Sequence, residues 1–473
     1  MVGSFGQHSR IHKERRQRLG TGTEDLGFVY VEYEDIVSLI ADGPGVRIPA
    51  QVCPIIANIM VGFRSSPNAW IETRVLMSTN QQSPNSPTYT WFSREEMDRR
   101  WQAAQARMAE RGIDYLLVSQ EENFQYFAGS SASLALHQSL TRPSVLLLPA
   151  SGDPIAITQG GPALEGTSHV SDVRDFHNLL DFPASLILDV LLEKGSTPGR
   201  IGAELGQEQR LGMPVGTYLN LVAALPNTEF VDAADIFIGL RMRKSAEELV
   251  YMREAAAITG RARQRLFDEI RPGMTEREVV RRMRHLLSDE GADRTGFVIL
   301  QHDDPGARNQ IPIDRALQPA TVLAIDGGAY VGMYGVDYVR MATLGEASNT
   351  HRHVHAAVLE VVEKMKAALK PGIRCCDLFE LTLQAIDESG CDHVEPERRG
   401  SGRVGHGQGI LITEPPSLCA TDETVIEPGM VISTEPGLRM GDVQFQWEDV
   451  HVVTDDGYEQ LTLETSELRE LDF

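Results

Sequence analysis

The feature that most constrains the fold is a repeat in the second half of the chain. The segment IRPGMTEREVVRRMRHLLSDEGAD (270–293) and the segment LKPGIRCCDLFELTLQAIDESGCD (369–392) align without a gap at an offset of 99 residues, Pro371 falling on Pro272. The Pro-Gly pair, the helix-ending Gly291 and Gly390, and the following Asp293 and Asp392 coincide. Each copy reads as a helix, a Pro-Gly turn, a second helix and a glycine stop leading into strands. Two similar αβ halves are therefore expected to pack about a pseudo-two-fold axis, with a cleft between them where ligands bind.

The chain has 473 residues, room for two or three domains of ~150 residues each. Regular structure is expected from Ser93, where Ser93 and Glu96 form a capping-box pattern and Met97, Trp101, Ala104 and Met108 recur at helical spacing up to Gly112. The apolar runs Tyr115 to Val118, Val145 to Leu148 and Ile155 to Ile157 follow, separated by turns or helical stretches in the rhythm of an α/β domain over 93–240. A second capping box, Ser245 with Glu248, opens a helix to about Ile270 and a second domain over 241–473. In residues 1–92 no periodicity persists, and Ser, Asn, Gln, Pro and Thr crowd 78–90. That segment is expected to be a poorly ordered or loosely attached extension, with Met77 an alternative start.

The formal net charge of −23 disfavours phosphate backbones and anionic lipid surfaces, so neither nucleic acid nor membrane is an expected partner. The longest apolar stretch, Val52 to Phe63, is too short to span a bilayer, and the basic residues Arg10 to Arg18 precede no secretory signal region. Five scattered cysteines (Cys53, Cys375, Cys376, Cys391, Cys419) without CxxC spacing point to free thiols in a reducing compartment. A cytoplasmic protein is expected.

The informative stretch is LAIDGGAYVGMYGVDYVRMATLG (323–345). Val322 to Ile325 reads as a buried strand ending at Asp326, a Gly-rich turn follows, and Asp337 opens another strand-like run. Two acids at facing positions of a hairpin can bridge metal ions; turn and strand-edge aspartates are the alternative. Further along stand His406 in GHGQG, Glu435 in EPGMVISTEPG and Glu448 in QFQWEDVHVV. Together these residues supply four carboxylates and one imidazole, an inventory suited to a pair of Mn, Co, Zn or Fe ions. Arg340, three residues after Asp337, is expected to face a metal-bound carboxylate at the substrate site or else to lie at the surface.

Over residues ~94–470 the sequence resembles the pita-bread metallohydrolases: Xaa-Pro aminopeptidases, prolidases, methionine aminopeptidases and creatinase. Asp326 and Asp337 match the family's Asp-x10-Asp pair, His406 its Gly-His-Gly motif, Glu435 its Glu-Pro-Gly and Glu448 its late Glu-Asp. The resemblance implies an α/β (α+β) fold, with a creatinase-like N-terminal domain followed by a pita-bread catalytic domain. It implies two divalent ions held by these five residues and bridged by a water or hydroxide, with Glu435 as general base. A homodimer acting on a small-molecule or short-peptide substrate is also implied.

Two histidines of the peptidase branches are missing. Their positions hold Asn309, three residues before Pro312-Ile313-Asp314-Arg315, and Thr413, seven residues after His406; Gln446 stands where the family often has Arg. Asn309 and Thr413 are the expected substrate-binding residues, since both still donate hydrogen bonds, although neither shuttles a proton near neutral pH. His302 and His451 are the nearest other histidines, and neither is expected to substitute. The leading expectation is hydrolysis of a C–N bond in an Xaa-Pro type or amidino compound. The alternatives are a metal-dependent lyase of the dimethylsulfoniopropionate-lyase kind and a non-catalytic metal-binding homologue.

Overall fold

The computed structural model describes residues 90–473 except 131–141, 160–163, 165, 179–181, 183, 196, 303–310, 395–401 and 472–473. The expectations for residues 1–89, including Met77, Cys53 and the stretch 52–63, lie outside the described residues, as does Asn309. Trp91 and Phe92, assigned from sequence to the loose extension, are instead packed: Phe92 is buried against Tyr251, Tyr334 and the Arg100 guanidinium.

The first sheet has six strands, β1 (Tyr115–Val118), β2 (Val145–Pro149), β3 (Ile155–Thr158), β4 (Asp172–Asp175), β5 (Arg200–Ala203) and β6 (Glu229–Asp232). Their spatial order is β4-β3-β2-β1-β5-β6, with β1 antiparallel to β2 and parallel to β5. The helices are α1 (Arg94–Arg111), α2 (Glu121–Ala128), α3 (Ser185–Glu193), α4 (Val215–Ala224) and α5 (Ala234–Arg241). Continuous apolar runs form the central strands because both faces are covered. Leu116, Val118, Leu146 and Leu148 join the core containing Met97 and Trp101 of α1, while Tyr115, Leu117, Val145 and Leu147 join that containing Ile187 and Leu191 of α3.

Only half of the first capping box forms. The Ser93 hydroxyl accepts from the Glu96 amide, but the Glu96 carboxylate turns away to Arg99 and the fully buried Arg100. Arg100 also donates to the Tyr126 carbonyl at 2.8 Å, and the Tyr334 hydroxyl donates to Glu248 at 2.6 Å. A buried charge must be paired to be tolerated, so this network outweighs the lost half-box and fastens α1 to the segments beyond it.

The remaining helices are α6 (Ala246–Glu269), α7 (Glu276–Asp289), α8 (Asn349–Ala368) and α9 (Cys375–Glu388). The 99-residue offset recurs in three dimensions: α7 and α9 each have 14 residues, and both their starts and their ends stand 99 apart. Their buried faces correspond as well, Val279, Val280, Leu286 and Leu287 falling on Leu378, Phe379, Ala385 and Ile386. The preceding turns use Gly273 (φ 89°) and Gly372 (φ 93°), a conformation costly for any residue with a Cβ.

Strands β7 (Arg294–His302), β8 (Val322–Val331) and β9 (Tyr334–Leu344) join the last strand, β18 (Arg469–Leu471), in a sheet ordered β18-β9-β8-β7. Between them in sequence lie β10 (Asp392–His393), β11 (Arg403–Gly407), β12 (Glu414–Cys419), β13 (Val431–Thr434), β14 (Gly437–Met440), β15 (Val443–Gln446), β16 (Asp449–Val453) and β17 (Tyr458–Gln460). These form a five-stranded sheet, β12-β11-β13-β16-β17, and a three-stranded one, β10-β14-β15. No helix among the described residues is long and apolar enough to cross a membrane.

The two repeats differ at their caps, since Thr275 and Glu278 make a complete capping box on α7 whereas Arg374 caps α9 with no side-chain bond. Thr275→Ala should cost about 1 kcal/mol at that terminus. Amide hydrogen exchange should show faster exchange in the first turn of α7 and none in α9.

Candidate metal centre

The β8–β9 hairpin places the two aspartates. Asp326 lies opposite Val339 and Asp337 opposite Gly328, so both carboxylates leave the same face one diagonal step apart. The Gly-rich turn expected after Asp326 is strand instead: β8 continues through Gly327 and Gly328 to Val331. A Cβ at Gly327 would stand 2.1 Å from the Phe297 carbonyl oxygen, and one at Gly328 1.9 Å from that of Val336. The glycines therefore permit close backbone approach within the sheet rather than a reversal.

The other three ligand candidates come from the five-stranded sheet. His406 lies on β11, Glu435 directly follows β13 and Glu448 directly precedes β16. The Thr434–Asp449 pairing sets the two glutamates side by side. His406 Nδ1 lies 3.0 Å from the Gly407 carbonyl, the geometry of a donor, which leaves Nε2 as the free lone pair. That Nε2 is 3.6 Å from Glu448 Oε1 and 3.9 Å from Glu435 Oε1. Asp337, His406 and Glu448 are buried and each offers one ligand atom within 4.8 Å of the others; Asp326 and Glu435 keep a more open edge.

Electrostatics bind all four acids into one cluster. Burial and the Glu435 charge push the Asp326 carboxyl up to about 7. Burial and the charges of Asp326 and Glu435 raise Asp337 far above the usual carboxylate range; burial, Asp337, Glu435 and Asp326 do the same to Glu448. Burial also raises Glu435, against the opposing pull of Arg403. His406 moves the other way, down to about 3, through burial and the Arg403 charge, and so stays neutral.

The donor set fits divalent cations. Asp326 Oδ1 and Glu448 Oε1 are buried and have no hydrogen-bond partner among the described residues, a cost that a coordinated cation removes. Four carboxylates and one neutral imidazole nitrogen match the preferences of Mn, Co, Zn and Fe.

Arg340 does not line the substrate site. Strand alternation turns it to the face of β9 opposite Asp337, where it is buried between Trp447 and Tyr338. It donates to the Glu448 backbone carbonyl at 2.5 Å and to Asp449 at 2.7 Å, so it braces the main chain and touches no ligand carboxylate. His302 sits at the end of β7, 3.0 Å from Glu276, and His451 lies against Thr434 on the face of β16 turned from Glu448. Thr413 is exposed in the turn before β12.

Two residues of the centre were missed from sequence. Arg403 donates to Glu435 Oε1 at 3.1 Å, and Gln408 reaches Asp337. Their signal was position: each is two or three residues from His406 on the same extended segment. Gln446, noted only as a departure, lies 3.5 Å from Glu435 Oε2.

Residues 250–455 match the model of metallopeptidase family M24, and residues 100–243 that of the creatinase/prolidase N-terminal domain. A Bacillus subtilis protein described as uncharacterized peptidase YqhT is 27% identical over 368 residues, covering 76% of this chain and 96% of that one. An Xaa-Pro dipeptidase from Pyrococcus furiosus is 29% identical over 245 residues, 51% of this chain and 68% of that one. Among solved structures, dipeptidase PepE from Mycobacterium ulcerans has a TM-score of 0.68 at 27% identity, covering 80% of this chain and 99% of that chain. With both domains matched in order and relatives spanned over most of their length, the chain belongs to the pita-bread metallohydrolases, as a member with a creatinase-type N-terminal domain and an M24 catalytic domain.

Proposed function

We propose that this protein hydrolyses a C–N bond in a small peptide-like substrate of the Xaa-Pro type at a dinuclear centre formed by Asp326, Asp337, His406, Glu435 and Glu448. The observation that carries this reading is the cluster of four carboxylates around a neutral imidazole, open at the Asp326–Glu435 edge. The Xaa-Pro dipeptidases among its relatives support the substrate class. The formal charge of −23 supports short peptides rather than nucleic acid or membrane surfaces as partners.

Divalent cations supply Lewis-acid polarisation and bring water ionisation towards neutral pH. The protein's own groups supply the rest. Arg403 occupies Glu435 Oε1 at 3.1 Å while Gln446 stands further off, at 3.5 Å from Oε2. Oε2 is therefore the freer atom to take a proton from the attacking water and return it to the leaving nitrogen. Thr413 offers a hydroxyl where the peptidase branches have an imidazole, so the oxyanion is less well supported and turnover is slow.

The deciding experiment loads the protein with Mn or Co and assays Xaa-Pro dipeptides and tripeptides with product analysis. Release of a free amino acid and a proline-containing product is expected. An unsaturated acid indicates elimination instead, and tight binding without turnover a non-catalytic homologue; either result overturns the proposal. Glu435→Gln should lower kcat about 10²–10⁴-fold. Thr413→His should raise kcat about tenfold or more at unchanged metal content, recovering part of the 10²–10³ that one such donor can supply.

Metal affinity should rise with pH. Burial and mutual repulsion hold Asp326 near 7 and raise Asp337 and Glu448 well above the usual carboxylate range, so cation binding competes with protons at these carboxyls, whereas neutral His406 has none to lose. Calorimetric titration at pH 6 in buffers of different ionisation enthalpy should show net proton release, and affinity should increase between pH 6 and 8.

A further inference from the structure

We infer that Gln408 is a positioning residue that presets Asp337 for its cation, an inference resting on the metal centre proposed above. Gln408 is fully buried, and its side-chain amide spends both donors and one acceptor site on one residue. Nε2 donates to Asp337 Oδ1 at 2.7 Å and to the Asp337 carbonyl at 2.8 Å, while Oε1 accepts from the Asp337 amide at 3.2 Å. Neither an apolar side chain nor a carboxylate can make all three bonds. An apolar residue has no polar atoms, and a glutamate would set a charged oxygen against two acceptors.

The effect on the carboxylate follows from those bonds. With Oδ1 and both backbone polar groups held, Asp337 has its side-chain torsion fixed and Oδ2 as its free atom. Without them, the Asp337 side-chain torsion is no longer held and the carboxylate can turn out of the cluster. Gln408 is itself anchored, because its amide donates to the Val431 carbonyl at 3.1 Å on β13. Two residues earlier, the His406 amide donates to the Ser433 hydroxyl on the same strand. One five-residue segment, GHGQG, thus fixes a ligand of its own sheet and clamps a ligand of the other.

Selectivity between the two cations follows. Asp337, His406 and Glu448 form the compact buried set, whereas Asp326 and Glu435 face the open edge. Gln408 acts on the compact set, so its loss is expected to weaken the ion held there more than the other.

The test is calorimetric titration of metal-free wild type, Gln408→Leu and Gln408→Met with Mn or Co, together with the visible spectrum of each Co-loaded protein and the Tm of each metal-free one. Both variants should lose about 10–100-fold in affinity for the first ion. The second ion should be affected less, and the Co spectrum should change. Gln408→Met keeps the side-chain length and serves if the leucine variant does not fold. Unchanged affinity and an unchanged Co spectrum overturn the inference, as does a fall in Tm alone, which marks a merely structural role. Uptake of no ion by the wild type overturns the metal-centre reading, and this inference with it.

Discussion

Mutual repulsion among four carboxylates drawn together inside the protein is the constraint around which the catalytic half is built. In a low-dielectric interior such charges are costly unless protonated or paired with cations. Among the described residues, only one guanidinium, that of Arg403, reaches a ligand carboxylate directly, and it does so from the exposed edge. Buried arginines abound nearby, but they are spent elsewhere. Burial and mutual repulsion therefore hold these carboxyls above their usual range, a cost that bound cations would relieve.

Those other arginines hold the backbone that carries the acids. Arg263, wholly buried in α6, donates to the carbonyls of Gly327 at 3.1 Å and Tyr338 at 2.6 Å, the residues directly after Asp326 and Asp337. Arg340 donates to the Glu448 carbonyl itself. Both guanidiniums lie over the Tyr338 ring, and both approach Glu464, at 3.2 and 3.4 Å, which balances their charge. Since a strand end displaced by 1 Å misdirects its ligand, such bracing matches the stiffness that a preorganised centre requires. The division of labour is physical: Arg263 and Arg340 grip carbonyl dipoles and leave the ligand carboxylates to other partners.

The sequence made some of this legible and hid the rest for identifiable reasons. The repeat was legible because helix length, buried stripe and Pro-Gly turn are all local properties, and α7 and α9 preserve them at one spacing. Asp326, Asp337, His406, Glu435 and Glu448 were legible as motifs, and the β-register then brought them together. The extent of β8 was not legible, because Gly327 and Gly328 carry a turn signal locally while their lack of side chains answers a non-local need, the close approach of Phe297 and Val336. Arg340 was misassigned because three-residue spacing from Asp337 conveys proximity, whereas alternation along a strand decides the face. Glu96 was diverted from its cap by Arg100, a partner no local pattern discloses. Gln408 was passed over since an amide between glycines has no meaning until the opposing strand is placed.

Thr413 stands on a turn held by buried ion pairs. The adjoining Glu414 is buried and paired with Arg241 at 2.5 Å and Lys244 at 2.8 Å. Burial works against its charge, but Lys244 and Arg241 hold its carboxyl below the usual range. Arg241 in turn donates to Asn123 at 3.0 Å, and Asn123 donates to Glu204, so the turn bearing Thr413 is tied through buried polar groups to the first domain. Two cations buried on one carboxylate beside an exposed threonine make a rigid anchor, because removing one partner of such a pair is costly. The buried ion pairs therefore hold this turn in place. Position 413 carries a hydroxyl where the peptidase branches have an imidazole, on a turn fixed by those buried pairs.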